Sequence, residues 1–205
     1  MHLTRKAISK KIAIPKKGTK YVVRPASHLK EGVPVLIAVR DLLKIVHTTK
    51  EAKAILPSLK LNSRPISNIK ETIKLFNLFE ADKVYRLSIL PTNKFFLEEA
   101  KDKETRLAKV ISKRLVKKGF IQLSLHDGTN IETKDNSIHV GDSLYLDSNN
   151  QIKKHLPLEK GKNVFVINGK FVGQTGVIQD IKDNLVIIKL KDNLITKKKE
   201  NIIVV

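Results

Sequence analysis

From residue 84 onward, apolar residues recur at every second position in short runs, and this alternation constrains the fold more than any other feature of the sequence. A period of two places alternate side chains on opposite faces of a β-strand, whereas a helix needs a period near 3.6. Turn-forming residues separate the runs at Pro91-Thr92-Asn93, Lys118-Gly119, Asp127-Gly128 and Val140-Gly141-Asp142. We therefore predict a small antiparallel barrel or sandwich over residues 84–158.

The C-terminal block, residues 159–205, repeats this pattern more densely. The runs NVFVI, FVGQTGVIQDI, LVIIKL and NIIVV account for four or five strands in fewer than 50 residues. Asp183 and Asn184 have the composition of a tight hairpin turn. This length and strand number predict a closed five-stranded barrel of SH3 type.

Residues 34–57 have helical periodicity. Helical spacing is followed by Val35, Val39, Leu42, Leu43 and Val46. A Thr48–Glu51 capping box predicts a second, shorter helix ending at Pro57. Together they predict a helix-turn-helix pair. The stretch LKLNSRPI that follows predicts a hairpin with its turn at Asn62 and Ser63, and NIKETIKLFNLF is ambiguous between helix and strand.

Charge indicates the kind of partner. The chain has 40 Lys and Arg against 20 Asp and Glu, a net charge of +20, and such a field attracts polyanions, with nucleic acid first. Residues 1–30 hold nine of the basic side chains and no acid. Because such a segment repels itself and has few large apolar residues, we expect it to stay extended until phosphates neutralise it.

Composition argues against several other kinds of site. The chain has no cysteine, and its six histidines are scattered, so we expect no structural metal and no cofactor. The acidic cluster Glu98, Glu99, Asp102 and Glu104 alternates with lysines and is expected to be a short solvated helix or turn. The longest apolar run, Val33 to Val39, is too short to span a membrane, and the basic N-terminus does not resemble a secretory signal.

The glycines at 169, 173 and 176 could be read as a nucleotide-binding loop, but they match neither a dinucleotide fingerprint nor a P-loop. The stretch instead resembles the KOW motif of ribosomal and transcription-elongation proteins, with Val166, Ile178 and the three glycines in matching positions. This resemblance implies a strand, a loop and a second strand. Positive φ angles at the glycines would then allow RNA backbone to approach, with Lys170 supplying charge.

Four stretches in order resemble the archaeal and eukaryotic small-subunit ribosomal protein family S4e. They are the basic start with His2, Leu3, Arg5 and RPASH; VPVLIAVRDLLKI with EAKAIL; QLSLHDGTNI with VGDSLYLD; and HLPLEKG with VINGKFVGQTGVI. The sequence departs from the family pattern at LNSR, where an acidic-Gly-Lys turn is usual, and in the stretch that follows. We also expect no counterpart of the basic C-terminal tail that is common in the family.

The resemblance implies an α+β, multi-domain protein with four regions: a basic N-terminal extension (1–33), an S4-like RNA-binding module (34–83), a central β domain (84–158) and a KOW domain (159–205). It implies a cytoplasmic, non-enzymatic structural constituent of the small ribosomal subunit, with ribosomal RNA and neighbouring ribosomal proteins as partners and no membrane or small-molecule substrate. The candidate RNA-binding residues are Arg5, Lys6, Lys10, Lys11, Lys16, Lys17, Lys20, Arg24, His28, Arg40, Lys44, Lys113, Arg114, Lys117, Lys118, Gly169, Lys170 and Gly173.

The sequence leaves several alternatives open. Arg40 and Lys44, one helical turn apart, and the cluster from Lys113 to Lys118 are either phosphate contacts or solvated charges. His126 and Asp127 suggest a catalytic pair, but adjacent strand residues face opposite ways, and Asp-Gly favours a turn. A KOW-containing transcription-elongation factor and an RNA-modifying enzyme with an S4-like module are the rival functions. Aromatic residues form only 5% of the chain, so we expect charge and shape, not base stacking, to carry affinity.

Overall fold

β-strands dominate the computed structural model, and the helices are few and short. The structure describes residues 2–100, 102–116, 119–190 and 193–205. The chain divides into two units, Met1–Lys103 and Glu104–Val205, each with its own sheets. The β-rich, multi-sheet character expected from the two-residue period is confirmed.

The basic N-terminal segment is folded, which corrects the expectation of an extended arm. Strand β1 (Leu3–Thr4) pairs antiparallel with β2 (Tyr21–Val22). Ile12 is buried, and the Phe95 N–H donates to the Lys11 carbonyl at 2.7 Å. The expectation was wrong because one buried isoleucine and long-range backbone hydrogen bonds hold the segment, while most of its charges stay in water, where their repulsion is weak.

The next segment contains one short helical stretch after strand β3 (Gly32–Pro34). Helix α1 (Val35–Ile37) continues into a π-helical turn, Ala38–Leu42. Residues 35–39 are all buried, including the predicted Val35 and Val39, whereas Leu42 is only partly buried. Lys44 lies beyond this turn with a φ of 57°. Arg40 and Lys44 therefore do not share a helix face, and that prediction is wrong: the chain turns into the left-handed region before a further helical turn can form.

Helix α2 (Thr49–Ala54) begins where the capping box predicted. The Glu51 N–H donates to the Thr48 hydroxyl at 3.2 Å, and the Thr48 N–H donates to the Glu51 carboxylate at 3.4 Å. Hydrogen bonds to its carboxylate lower the pKa of Glu51: the largest effect comes from the His47 backbone N–H, and the next from the Thr48 hydroxyl. A 3₁₀ turn over Leu56–Ser58 follows, close to the predicted helix end at Pro57.

Six more strands follow in the first unit: five of them form its largest sheet, in the order β5-β4-β7-β8-β9, and β6 pairs with β3. They are β4 (Lys60–Leu61), β5 (Arg64–Pro65), β6 (Thr72–Lys74), β7 (Leu78–Glu80), β8 (Val84–Ile89) and β9 (Phe95–Glu99). Asn62 and Ser63 have φ angles of 51° and 65°, which confirms the predicted hairpin turn. The ambiguous stretch NIKETIKLFNLF contains β6 and most of β7. Strand β7 pairs with β8, so this sheet continues across the boundary predicted between residues 83 and 84. The division into four regions remains a prediction.

The second unit begins with a five-stranded antiparallel sheet in the order β12-β11-β10-β13-β14. Its strands are β10 (Arg106–Leu115), β11 (Ile121–Leu125), β12 (Asn130–Thr133), β13 (Ser143–Leu146) and β14 (Ile152–Leu156). Val110, Leu123 and Leu144 are fully buried in its core. Gly128 has a φ of 89° between β11 and β12, which confirms the predicted Asp-Gly turn.

A second five-stranded sheet follows in the same unit, in the order β18-β17-β16-β15-β19. Its strands are β15 (Asn163–Val166), β16 (Thr175–Lys182), β17 (Leu185–Lys189), β18 (Leu194–Lys198) and β19 (Ile202–Val204), with a 3₁₀ turn over Lys199–Asn201 before the last. Alternate residues, including Val186 and Ile188, are buried in one core. The predicted strand number and the turn at Asp183 and Asn184 are confirmed.

Candidate nucleic-acid interface

The glycine loop connects β15 to β16, as the motif predicted. Gly169 and Gly173 have φ angles of 83° and 76°, a region that favours glycine. The loop closes because the Gly173 N–H donates to the Val166 carbonyl at 2.9 Å, and the Val166 N–H donates to the Gln174 carbonyl at 3.0 Å. Gly176 lies in β16, where a Cβ atom would come within 2.6 Å of the Ile188 side chain.

Two cations lie at this loop: Lys170 within it, and Lys197 from β18. The Lys170 Nζ lies 5.2 Å from the centre of the Phe171 ring. A Cβ at Gly169 would lie 2.8 Å from the Nζ of Lys197, so the lysine of β18 reaches over the loop. Sequence reasoning missed Lys197, although the three consecutive lysines from residue 197 to 199 were a visible signal.

The N-terminal candidates separate into exposed cations and cations held by the fold. Lys6, Lys10, Lys16, Lys17, Lys20 and His28 are exposed, and Arg24 is half-buried. The Arg5 guanidinium donates to acceptors of its own segment. Burial lowers the pKa of Lys11, whose Nζ lies 5.9 Å from the Phe95 ring centre. The nine basic side chains are therefore not equivalent.

The other basic candidates are not gathered into one ridge. Arg40 pairs with its neighbour Asp41 at 2.9 Å. The Lys113 Nζ donates to the backbone and side-chain oxygens of Asn136, both at 2.8 Å, whereas Arg114 is exposed on the opposite face of β10. Lys117 and Lys118 lie outside the residues that the structure describes.

His126 and Asp127 have separate partners and do not form a catalytic pair. The His126 Nδ1 accepts from the backbone N–H of Lys109 at 3.1 Å. Asp127 pairs with Arg106, and both side chains are almost completely buried, at 1% and 4% exposure. Arg106 also donates to the Asn150 side chain at 2.5 Å. Burial lowers the pKa of Arg106 to about 10, so the guanidinium stays charged at neutral pH.

Lys109 joins the two sheets of the second unit. Its Nζ donates to the carbonyls of Lys199, Glu200 and Ile202 at 2.6, 3.1 and 2.8 Å. Nearby, the Val204 N–H donates to the Ser143 hydroxyl at 3.1 Å. Burial lowers the pKa of Lys109 to about 8. Sequence reasoning missed this lysine, because a lysine between the apolar residues Ala108 and Val110 of a strand is typical of a solvent-facing position.

The described part of the chain contains neither a group of possible metal ligands nor a helix suited to crossing a membrane. Within residues 2–100, 102–116, 119–190 and 193–205, no three His, Asp or Glu side chains are grouped so that they could hold a metal ion. Glu98 and Glu99 lie on β9, not on a helix or turn, and pair with Arg86 and Lys83 at 2.7 and 3.1 Å. In the same ranges, no helix has the length and apolar character to cross a membrane.

These features define a basic protein of several small β-sheets, one of which carries a KOW loop, and the sequence model of the KOW motif matches residues 160–191. The model of Ribosomal family S4e matches residues 81–152. Small ribosomal subunit protein eS4 of Archaeoglobus fulgidus is 30% identical over 219 aligned residues, covering 100% of this chain and 93% of that protein. The chain belongs to the S4e family of ribosomal proteins.

Other relatives agree with this assignment. Small ribosomal subunit protein eS4 of Methanocaldococcus jannaschii is 32% identical, covering 88% of this chain and 81% of that protein. Among solved structures, the 30S ribosomal protein S4e from Thermoplasma acidophilum matches with a TM-score of 0.74 and 26% identity, covering 86% of this chain and 95% of that one. The likeness therefore extends over nearly the whole chain.

Proposed function

We propose that this protein is a structural constituent of the small ribosomal subunit and that it binds and stabilises small-subunit ribosomal RNA. The observation that carries the proposal is the match, over the full length of the chain, to proteins named as small ribosomal subunit protein eS4. The net charge of +20 supports a polyanionic partner. We expect no catalytic activity, a cytoplasmic location and contacts with neighbouring small-subunit proteins.

Binding on this proposal is directed mainly at phosphates. With 5% aromatic residues and no tryptophan, the chain has few platforms on which bases can stack. Its contacts would come mainly from two basic surfaces, with the exposed Arg114 as a further candidate contact. The first is the exposed N-terminal lysines, and the second is the KOW loop with Lys170 and Lys197. Phosphate contacts of this kind fix position on RNA without reading its sequence.

The finer architecture belongs to the same proposal. We infer that the second sheet of the Glu104–Val205 unit acts as an SH3-like barrel, since a short 3₁₀ turn separates its last two strands and β19 returns to pair with β15. We also infer that the helical segment, α2 and the β4–β5 hairpin act together as an S4-like, helix-turn-helix module. We retain the division into four regions as part of this proposal. Of these, the N-terminal extension (1–33) and the KOW domain (159–205) would make most of the RNA contacts.

Sedimentation tests the assignment directly. The endogenous protein should remain with the small ribosomal subunit in high-salt sucrose gradients. Affinity for small-subunit RNA should also fall steeply with salt: neutralising about eight phosphates gives a slope of log affinity on log salt of about −6 to −7. A protein that sediments free of ribosomes, or a slope near zero, would exclude the proposal.

Single variants then separate the surfaces. Lys170→Gln and Lys197→Gln should each make that slope less steep by about one, because each removes one phosphate contact. Lys83→Gln is the matched control, since the Lys83 Nζ is 3.1 Å from the Glu99 carboxylate and is expected to contribute no contact. If the control changes the slope as much as the two loop variants, binding follows net charge and not these surfaces.

A further inference from the structure

Arg5 closes the N-terminal basic loop through its guanidinium group. Its Nε donates to the Thr19 carbonyl at 2.8 Å, Nη1 donates to the Pro15 carbonyl at 2.8 Å, and Nη2 donates to the Thr19 hydroxyl at 3.0 Å. The Arg5 backbone N–H also donates to the Lys20 carbonyl at 3.0 Å. One residue thus contacts both ends of the segment from Pro15 to Lys20, which we call the basic loop.

Gly18 provides independent support for this arrangement. Its φ is 137°, a backbone conformation that other residues rarely adopt. A Cβ atom at this position would lie 2.9 Å from Nη2 and 3.0 Å from Cζ of Arg5. The loop backbone therefore packs directly against the guanidinium, and a larger residue at this position would strain the backbone and displace the guanidinium from its acceptors.

The basic loop presents its lysines outward. Lys16, Lys17 and Lys20 are exposed, and no acidic residue occurs between residues 1 and 30 to offset them. Arg5 itself turns at least three of its five N–H groups toward the protein. Its role in this geometry is to hold acceptors of the loop, in contrast to the phosphate contact that its charge alone suggested.

We propose that the basic loop is a preformed phosphate-binding element and that Arg5 is its positioning residue, not a phosphate ligand. This inference rests on the proposed RNA-binding function and names one element of it. A preformed loop pays less ordering entropy on binding than an extended arm, so three lysines held together bind backbone phosphates more tightly than the same charges on a disordered segment.

Charge-conserving substitution separates positioning from direct contact. An ammonium group replaces the charge of a guanidinium, but it cannot reproduce a planar fork that reaches three fixed acceptors. Arg5→Lys should therefore behave like Arg5→Gln, with affinity for small-subunit RNA reduced about 5- to 10-fold by the loss of loop order. Arg114→Lys is the matched control: this exposed arginine is a candidate direct contact, and its lysine variant should stay within about 2-fold of wild type.

The salt dependence gives a second readout that a purely structural role would not change. Lys16→Gln removes one charge and should make the slope of log affinity on log salt less steep by about one. Arg5→Lys removes no charge, yet it should reduce the steepness by more than one, because several lysines of the loop lose their positions together. Gly18→Ala should reproduce this effect, and combining it with Arg5→Lys should add little further loss.

The experiment uses the full-length protein and in-vitro transcribed small-subunit RNA, with binding measured at four or more salt concentrations. Thermal melting and amide exchange check that the rest of each variant is folded. If wild type binds with a steep slope and Arg5→Lys retains wild-type affinity, Arg5 is a direct contact and the inference is wrong, while the proposed function stands. If loop order is lost without any change in affinity, the basic loop does not bind RNA. If wild type itself shows no salt-dependent binding, the proposed function has failed first.

Discussion

Asp127→Asn should strongly destabilise the unit Glu104–Val205. The Asp127 carboxylate pairs with the Arg106 guanidinium, and the two side chains are 1% and 4% exposed. Asp127 also accepts from the Thr129 N–H at 2.9 Å and from the Thr129 hydroxyl at 3.0 Å. An asparagine can keep one of these hydrogen bonds, but it leaves a buried guanidinium without a counter-charge.

The magnitude follows from that burial. Removing one partner of a buried ion pair costs about 3–5 kcal/mol, because the remaining charge cannot recover its hydration. For a unit of this size, each kcal/mol lowers Tm by about 4–8 °C, so the loss should be at least about 12 °C. The double variant Arg106→Met with Asp127→Asn should lose about 2–3 kcal/mol less unfolding free energy than the sum of the two single losses, because it buries no unpaired charge.

Urea titration of the full-length protein measures this free energy without adding ions that screen charge. The amide resonances of Leu123 and Leu144 report on the sheet that contains the pair. Asp147→Asn is the control: the Lys153 Nζ is 3.2 Å from the Asp147 carboxylate, but the lysine side chain is 55% exposed, and the midpoint should hardly change. A loss below about 1 kcal/mol for Asp127→Asn would refute the reasoning, because the guanidinium would then be adequately solvated without its partner.

Burial lowers the pKa of Lys109 from 10.5 to about 8, so between these two pH values the unfolded chain binds more protons than the folded chain. The unfolding free energy of wild type should therefore rise by about 3 kcal/mol between pH 8 and pH 10.5, relative to that of Lys109→Met, in urea titrations. A difference between the two proteins that stays constant with pH would contradict this. Gly176→Ala should cost about 1–3 kcal/mol in the same assay, since its Cβ would lie 2.6 Å from Ile188 and 2.7 Å from the Lys189 carbonyl. Thr48→Ala should cost about 1 kcal/mol through loss of the α2 cap, whereas Thr48→Ser should retain most of the stability; equal losses in chemical denaturation would show that the hydroxyl is not the cause.

Local patterns were sufficient for much of the fold. The two-residue period and the turn residues predicted the strands after residue 84, and Asp127-Gly128 and Asp183-Asn184 lie in turns as expected. The Thr48–Glu51 pair predicted the start of α2. These predictions succeeded because strand alternation, hairpin turns and helix caps depend on residues within a few positions of each other.

The candidate site was less predictable, because charge alone does not say which cations are available. Lys44 loses its place on a helix face because the chain adopts a φ of 57° there. Lys113 donates to Asn136, and Lys197, which the charge pattern did not single out, reaches over the KOW loop. Each outcome depends on where a side chain is directed by strand pairing and sheet packing, which no short window of sequence contains.

Sequence alone was enough to indicate strands, turns, a strongly basic surface and a resemblance to the S4e family, since these depend on composition and short-range order. Tertiary structure decided that the N-terminal segment folds, that Arg5 serves a loop 10 to 14 residues away, and that Lys109 reaches a carbonyl 93 positions later. The physical reason is desolvation. Whether a cation stays in water or becomes part of the core depends on which distant backbone groups pack against it, and only the folded chain brings those groups together.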